Sequence, residues 1–160
     1  FKETAFCDFK NNKHNQIVHS LMKTICAFLN SYEGGTIIIG IQDNKKIIGI
    51  DEELNSQFIK KKNKDGYQLR LRDNIKNWID NLANQDVDVS FEEVENKVIC
   101  KINVGQSRYG PVFLTSPNST NLGYRGYYYI KNGNKVDQLF GKEMIEHIYV
   151  VHDYFEYEEY

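Results

Sequence analysis

One run of residues has the side chains needed to bind a nucleic acid. Arg125, Tyr127, Tyr129 and Lys131 alternate along a β-prone segment, so a strand would place their side chains on a shared face. Cations interleaved with aromatic rings suit RNA, because phosphates and unstacked bases are both available to them. Tyrosine-rich strands also occur in ordinary sheets, and that alternative stays open.

A basic block is a second candidate interface. Residues 60–76 contain seven cations and two acids, a local charge of +5, whereas the whole chain has a net charge of −2. Such a block can contact phosphates. It can also be a solvated loop leading into a helix. The members predicted to bind RNA are Lys60, Lys61, Lys62, Lys64, Arg70 and Arg72.

Composition and motifs exclude several classes of protein. The chain has neither GxxxxGK[ST] nor GxGxxG, so nothing points to ATP or dinucleotide binding. Its three cysteines are odd in number and contain no CxxC pair, which argues against a disulfide framework or a structural zinc site. No apolar run approaches the roughly 20 residues of a membrane span. We therefore expect a reduced, cytoplasmic protein without a membrane partner. The first residue is not Met, so we expect a processed chain or a piece of a longer one.

The first third of the chain predicts a helix followed by a hairpin. Apolar residues recur at helical spacing over residues 15–30, with Asn15 as the expected N-cap and Gly34-Gly35 ending the helix. Residues 36–41 are β-branched and nearly all apolar, which predicts a strand covered on both faces. A turn at Asp43-Asn44 would lead into a returning strand over residues 46–50.

The remaining two thirds mix helices and hairpins. We expect a short helix and a loop over residues 51–65, and a helix over 69–83. Residues 87–94 and 97–104 alternate around Asn96, which predicts a second hairpin. A strand over 124–131 and a last helix over 141–152 follow an extended piece at 111–114 and a polar loop at 116–123. Without a regular βαβ repeat, the pattern favours one α+β domain, residues 1–160, with a mixed sheet and hairpins packed against helices.

An ordered set of short motifs resembles the AlbA_2 domain of the Schlafen family. The pieces are Glu3, the tripeptide at 8–10 (DFK), KTICAFLNS at 23–31, EGGTIIIGIQD at 33–43, IIGID at 47–51 and YYYIKNGN at 127–134. The family pattern is E-x4-E-F-K, a helix with AFAN, GG, a GV-x-D hairpin with VVG, and a late Y-x-R-x-G strand. Each piece alone is weak, but together they follow the family's order over nearly the whole chain.

The resemblance implies a site of three carboxylates. Schlafen AlbA_2 domains include metal-dependent endoribonucleases that act on structured RNA such as tRNA, and their acids fall on Glu3, Asp8 and Asp43. Carboxylates of this kind hold Mg²⁺ or Mn²⁺. Lys10 would lie beside the scissile phosphate. The second acid is Asp8 where the family has Glu, and Lys131 replaces an arginine, which keeps the charge but loses the two-pronged donor.

The sequence alone does not bring these acids together. Glu3 and Asp8 are five residues apart, so in a straight strand they would point to opposite faces. We expect a metal-dependent endoribonuclease that works as a homodimer or within a longer chain. The alternative is a module that binds nucleic acid, DNA included, or drives oligomerisation, without catalysis. Cleavage assays and the salt dependence of binding separate the two.

Overall fold

The structure is a computed structural model that describes residues 11–56, 58–115 and 126–152, with the backbone alone for residues 11–16. Within these residues the order of elements is α1 (Asn11–Leu29), β1 (Gly35–Ile39), α2 (Asp51–Leu54), α3 (Lys64–Trp78), a 3-10 helix (Leu82–Asp86), β2 (Val87–Val94), β3 (Lys97–Val104), β4 (Tyr128–Asn132), β5 (Lys135–Leu139) and α4 (Gly141–Val151). None of the described helices is long and apolar enough to span a lipid bilayer.

The larger sheet is antiparallel, with β3 between β1 and β2. Its inner face carries Ile37, Ile39 and Ile102, which are buried in the main core. On the outer face Ile38 is 39% exposed, and the Thr36 hydroxyl donates to the Asn103 side-chain oxygen over 2.9 Å. The prediction that this strand is covered on both faces is therefore wrong, because an antiparallel sheet tolerates one solvated face.

Helix α1 joins the two sheets into one core. Most of its apolar stripe is buried, as the periodicity predicted, and Ile17 and Phe28 at its margins are partly buried. The helix packs mainly against β4, and also against α3, β3 and β5. The core side chains that it supplies are Leu21, Met22, Ile25, Cys26 and Leu29.

Several predicted elements are confirmed. The α+β class is confirmed. The predicted mixed sheet is not found among the described residues, because every described strand pair is antiparallel. The β2–β3 hairpin has the predicted bounds, with Glu95 and Asn96 in the left-handed conformation that a two-residue hairpin turn requires. The short helix α2 with its loop, and α4, also lie where they were predicted.

The predicted return strand at 46–50 is wrong. Only a single bridge joins Ile41 to Ile47, and β1 pairs with β3 instead. Gly40 and Gly49 both have positive φ angles, 104° and 73°, which turn the backbone out of an extended path. The Asp43-Asn44 turn itself is present, closed by the Lys45 N–H donating to the Gln42 carbonyl over 2.9 Å.

Helix boundaries also differ from the prediction. α1 begins at Asn11, so Asn15 lies inside the helix rather than at its cap, because the polar first turn gives no periodic signal. α3 covers Lys64–Trp78 rather than 69–83. Its N-cap is Asn63, whose side-chain oxygen accepts from the Gly66 N–H over 2.9 Å.

The C-terminal hairpin was predicted only in part. β4 covers Tyr128–Asn132, and its partner β5 was not predicted, because its five residues have no clear alternation of buried and exposed positions. Leu114, in the extended piece, forms a bridge with Tyr127. The predicted loop at 116–123 lies outside the described residues.

Candidate nucleic-acid interface

Two lysines lie over aromatic rings where α1 meets β4. The Lys23 ammonium is 5.9 Å from the centroid of the Tyr129 ring, and the Lys131 ammonium is 5.5 Å from that of Phe28. Both distances are within the roughly 6 Å over which a cation is attracted to a ring face. Each pair joins one residue of α1 to one of β4. We call these four residues the α1–β4 surface.

Two glycines at the start of β1 make room for this surface. A Cβ atom on Gly35 would lie 2.4 Å from Cε2 of Phe28, so only glycine lets that ring lie across the strand. At Gly34, φ is +61° and a Cβ would lie 1.9 Å from the Val104 carbonyl oxygen. Gly34 therefore sets how closely β1 approaches β3, and Gly35 sets the position of the Phe28 ring.

A buried asparagine holds β4 against α1. Asn30 is 0% exposed, and its Nδ2 donates to the carbonyls of Val112 over 2.9 Å and Tyr129 over 3.0 Å. Its Oδ1 accepts from the Val112 N–H over 2.9 Å. One side chain thus bonds three backbone groups from two segments, and the Val112 carbonyl also accepts from the Cys26 thiol over 3.5 Å.

The predicted face of β4 is only partly open. Tyr127 is 43% exposed, but Tyr129 is 9% exposed, and burial raises the pKa of its hydroxyl. Lys131 is half-buried at its contact with α1. The alternation that puts these side chains on one face agrees with β4 being a strand, and α1 covers the middle of that face. Arg125 lies outside the described residues.

On the opposite face of β4, Tyr128 is 1% exposed and contacts α4. Its hydroxyl is 3.0 Å from Nδ1 of His147, and burial raises the tyrosine pKa. Burial lowers the pKa of His147 and of His152, and the latter is lowered further by its neighbour His147. The neutral forms of both imidazoles are therefore favoured in the folded state.

A cleft of ≈ 530 Å³ adjoins the α1–β4 surface, sharing Lys131 with it. The Tyr32 ring is 60% exposed, and its hydroxyl donates to the Val150 carbonyl near the end of α4. Sequence reasoning missed Tyr32 and Glu33, because a polar pair after a helix end is ordinary surface composition. Ser31, Tyr32, Glu33, Lys131, Gly133 and Asn134 line the cleft.

The lysines of the basic block are exposed on the loop before α3 and in its first turn. Lys60 and Lys64 are exposed, and Lys61 forms an exposed ion pair with Asp65 at 3.2 Å. The Lys62 ammonium donates to the Ser56 carbonyl. These cations can contact phosphates, although such an exposed pair is worth little to stability.

The two arginines of the block, in contrast, are each half-buried on α3. Arg72 donates to the Asn84 carbonyl over 2.8 Å, and the Asn84 amide donates back to the Arg72 carbonyl over 3.2 Å. The Nε of Arg70 is buried without a hydrogen-bond partner among the described residues. Arg72 therefore ties α3 to the 3-10 helix.

Of the predicted acids, Asp43 alone falls in the described part of the chain. It is exposed in the turn that follows β1. Glu3, Asp8 and Lys10 lie outside the described residues. Within residues 11–56, 58–115 and 126–152, no three histidine, cysteine or acidic side chains come together as a metal site. The three-carboxylate site stays a prediction.

The described cysteines are core residues, as expected for Cys26. Burial raises the thiol pKa of Cys26 and of Cys100 to about 12. For Cys100 the neighbouring Glu53 carboxyl, itself 0% exposed, adds to the effect. Both thiols stay protonated near neutral pH, so neither is a ready nucleophile or metal ligand.

These observations describe an α+β domain whose central helix and late hairpin present cations beside aromatic rings. The model of the Schlafen AlbA_2 family matches residues 3–139, and the chain belongs to that family. This makes it a nucleic-acid-related domain of a family associated with nuclease-like function.

Comparison with individual proteins supports the fold. No curated protein matches the chain in sequence. A crystal structure of the DIP2311 protein from Corynebacterium diphtheriae matches with a TM-score of 0.55 and 18% identity, over 86% of this chain. The chain spans 23% of the length of that protein, so the match concerns a shared domain fold.

Proposed function

We propose that this domain binds structured RNA, such as tRNA, and cleaves it with the help of Mg²⁺ or Mn²⁺. The observation that carries the proposal is the α1–β4 surface of the family's fold, which places the ammonium groups of Lys23 and Lys131 beside aromatic rings. Ammonium groups contact phosphates, and the Tyr127 ring, 43% exposed next to β4, is open to an unstacked base. The exposed lysines at positions 60–64 supply further cations that can contact phosphates.

Cleavage rests on the acids that match the family pattern. Glu3, Asp8 and Asp43 would hold the divalent ion through carboxylate oxygens, which are the ligands that Mg²⁺ and Mn²⁺ prefer. When bound, the ion would polarise a phosphoryl oxygen and lower the pKa of a water. Asp43 is exposed in the turn that follows β1, which is compatible with this role. Lys10 would bind the phosphate and offset its developing charge.

A second candidate function is binding without cleavage. It is favoured by one observation: the two described lysine–ring pairs, Lys23 with Tyr129 and Lys131 with Phe28, offer contacts to RNA that need no metal ion. A domain of this kind would bind RNA in the presence of a chelator and lose affinity steeply with added salt.

The test is cleavage of tRNA in MnCl₂ or MgCl₂, with a DNA hairpin of matching sequence beside it. Asp43→Asn keeps the size of the side chain but removes its charge. The matched control is Asp88→Asn, which changes an exposed acid of β2. We expect the control to cleave like the unmodified protein, and Asp43→Asn, Glu3→Ala and Asp8→Ala each to lose cleavage. Equal cleavage by all variants would remove the acids from the mechanism, and binding without any cleavage would establish the second candidate.

We also propose that a second copy, or another domain of a longer chain, completes the RNA-binding surface. A domain of this size can contact one side of a folded RNA. A second domain is needed to contact the opposite side and close a cleft around it. Light scattering of the chain with and without tRNA measures the number of copies. One protein chain per RNA with no further domain would contradict this proposal.

A further inference from the structure

The cleft beside the α1–β4 surface holds two opposite charges that do not pair with each other. Glu33 is exposed and forms no hydrogen bond or ion pair with any residue that the structure describes. The ammonium of Lys131 lies over the Phe28 ring instead. A ligand that satisfies both must offer an anionic group to the lysine and hydrogen-bond donors to the carboxylate.

An aromatic ring completes the cleft. Tyr32 is 60% exposed, so much of its ring is open to solvent. Its hydroxyl donates to the Val150 carbonyl, which fixes the ring from the α4 side. A ring held in this way can stack on a planar ligand with little further loss of side-chain entropy. The volume of ≈ 530 Å³ lies within the range of small-ligand pockets.

We propose that this cleft binds an unpaired guanine nucleotide of the RNA. The base stacks on Tyr32, the Glu33 carboxylate accepts hydrogen bonds from the guanine N1–H and N2–H₂ groups, and Lys131 contacts the adjacent phosphate. Guanine is the one common base with two neighbouring donors on its Watson–Crick edge, so it is the base that a carboxylate selects. The inference rests on the proposed RNA binding and adds base selectivity to it.

The experiment measures binding in EDTA, so that cleavage has no part in it. The probes are RNA hairpins of one sequence whose loop contains a single guanine, inosine or adenine among uridines. We expect guanine to bind about tenfold more tightly than adenine, as a two-hydrogen-bond contact to a base provides. Inosine lacks the N2 amino group and should fall between them.

Variants assign the effect to the cleft. Glu33→Gln should abolish the preference for guanine while leaving the affinity for adenine unchanged. Tyr32→Ala should weaken binding of all three hairpins, and Tyr32→Phe should keep the guanine preference. Glu92→Gln, an exposed acid on the outer face of β2, is the matched control and should bind like the unmodified protein.

The outcomes are distinguishable. Equal affinity for the three hairpins, or a guanine preference that survives Glu33→Gln, overturns the base pocket while leaving RNA binding in place. Failure to bind any hairpin overturns the pocket and the proposed RNA binding together. Guanine selectivity that depends on Glu33 supports the pocket even if the chain cleaves nothing.

Discussion

Asn30→Asp is expected to destabilise the domain severely, although it changes one amide nitrogen to oxygen. The Asn30 Nδ2 donates to two buried carbonyls, those of Val112 and Tyr129, at 2.9 and 3.0 Å. A carboxylate would leave the Tyr129 carbonyl without this donor and the Val112 carbonyl with the weak Cys26 thiol donor at 3.5 Å, and it would place negative charge against both. An unsatisfied buried group costs about 1–3 kcal/mol, so we expect a loss of about 1–3 kcal/mol from the Tyr129 carbonyl and a smaller addition from the Val112 carbonyl.

That loss is a large part of the stability of a domain, which is typically about 5–15 kcal/mol. The bond that Oδ1 accepts from the Val112 N–H survives the substitution, so the effect belongs to the two donor bonds. Because the bond to the Tyr129 carbonyl holds β4 next to the end of α1, the α1–β4 surface should be lost together with the fold.

The pH dependence gives an independent check on this reasoning. Burial and the facing carbonyls raise the pKa of the introduced carboxyl in the folded state above its unfolded value. Protonation then stabilises the folded variant, and this stabilisation disappears as the pH rises through the raised folded pKa. We therefore expect Asn30→Asp to be destabilised less at pH 5 than at pH 8, relative to the unmodified protein measured at each pH.

Urea denaturation followed by circular dichroism measures the free energy of unfolding. Asn77→Asp is the matched control, because Asn77 is exposed on α3 and the substitution adds the same charge. The control should lose less than about 1 kcal/mol, as expected for a charge near a helix C-terminus. If Asn30→Asp at pH 8 also loses less than about 1 kcal/mol, the assignment of Asn30 as the tie between α1 and β4 is wrong.

Three further predictions concern binding, packing and pH. Lys131→Ala should weaken RNA binding and reduce the steepness of its salt dependence, whereas Lys142→Ala, on α4, should change neither; equal effects would contradict the α1–β4 surface. Gly35→Ala should lower the urea midpoint, because its Cβ would lie 2.4 Å from Cε2 of Phe28, and an unchanged midpoint would mean that the ring moves freely. Burial lowers the pKa of His147, so the unfolded state binds more protons as the pH falls from about 7 towards 5, and stability should fall with it; His147→Gln should flatten this dependence.

The parts of the fold that depend on local pattern could be predicted. The β2–β3 hairpin follows from alternation on either side of Glu95 and Asn96, and α4 follows from helical spacing. The return strand at 46–50 could not be predicted correctly, because its composition suits a strand while the positive φ of Gly49 prevents one. The pairing of β1 with β3 depends on contacts between residues far apart in the sequence, and local composition does not predict such contacts.

The strand that carries the candidate RNA-binding residues could be predicted, but the arrangement of their side chains could not. Alternation correctly put Tyr127, Tyr129 and Lys131 on one face of a strand. It could not show that α1 covers the middle of that face and leaves Tyr129 9% exposed. The contribution of Lys23 was also missed, because its place beside Tyr129 arises only when α1 packs on β4.

The motifs behind the family resemblance divide into two physical roles. Asn30, Gly34 and Gly35 carry no chemistry of their own, yet they set the packing of α1 on β4 and of β1 on β3. Glu3, Asp8 and Asp43, by contrast, are candidates for chemistry. Removing Asp43, which is exposed, should leave the fold intact, whereas removing Asn30 should not.

Packing and RNA recognition both involve Lys131, and measuring stability and RNA affinity for the same variants separates the two. Its ammonium lies over the Phe28 ring, and that ring occupies space that only Gly35 leaves open. Gly35→Ala should therefore reduce both stability and RNA affinity, because it displaces the ring that accompanies the cation. Lys131→Ala should reduce affinity with little change in stability, since a partly exposed cation–ring contact is worth only about 0.5–1 kcal/mol. If both variants lost affinity and stability in the same proportion, binding would simply report folding, and the lysine would have no separate part in recognising RNA.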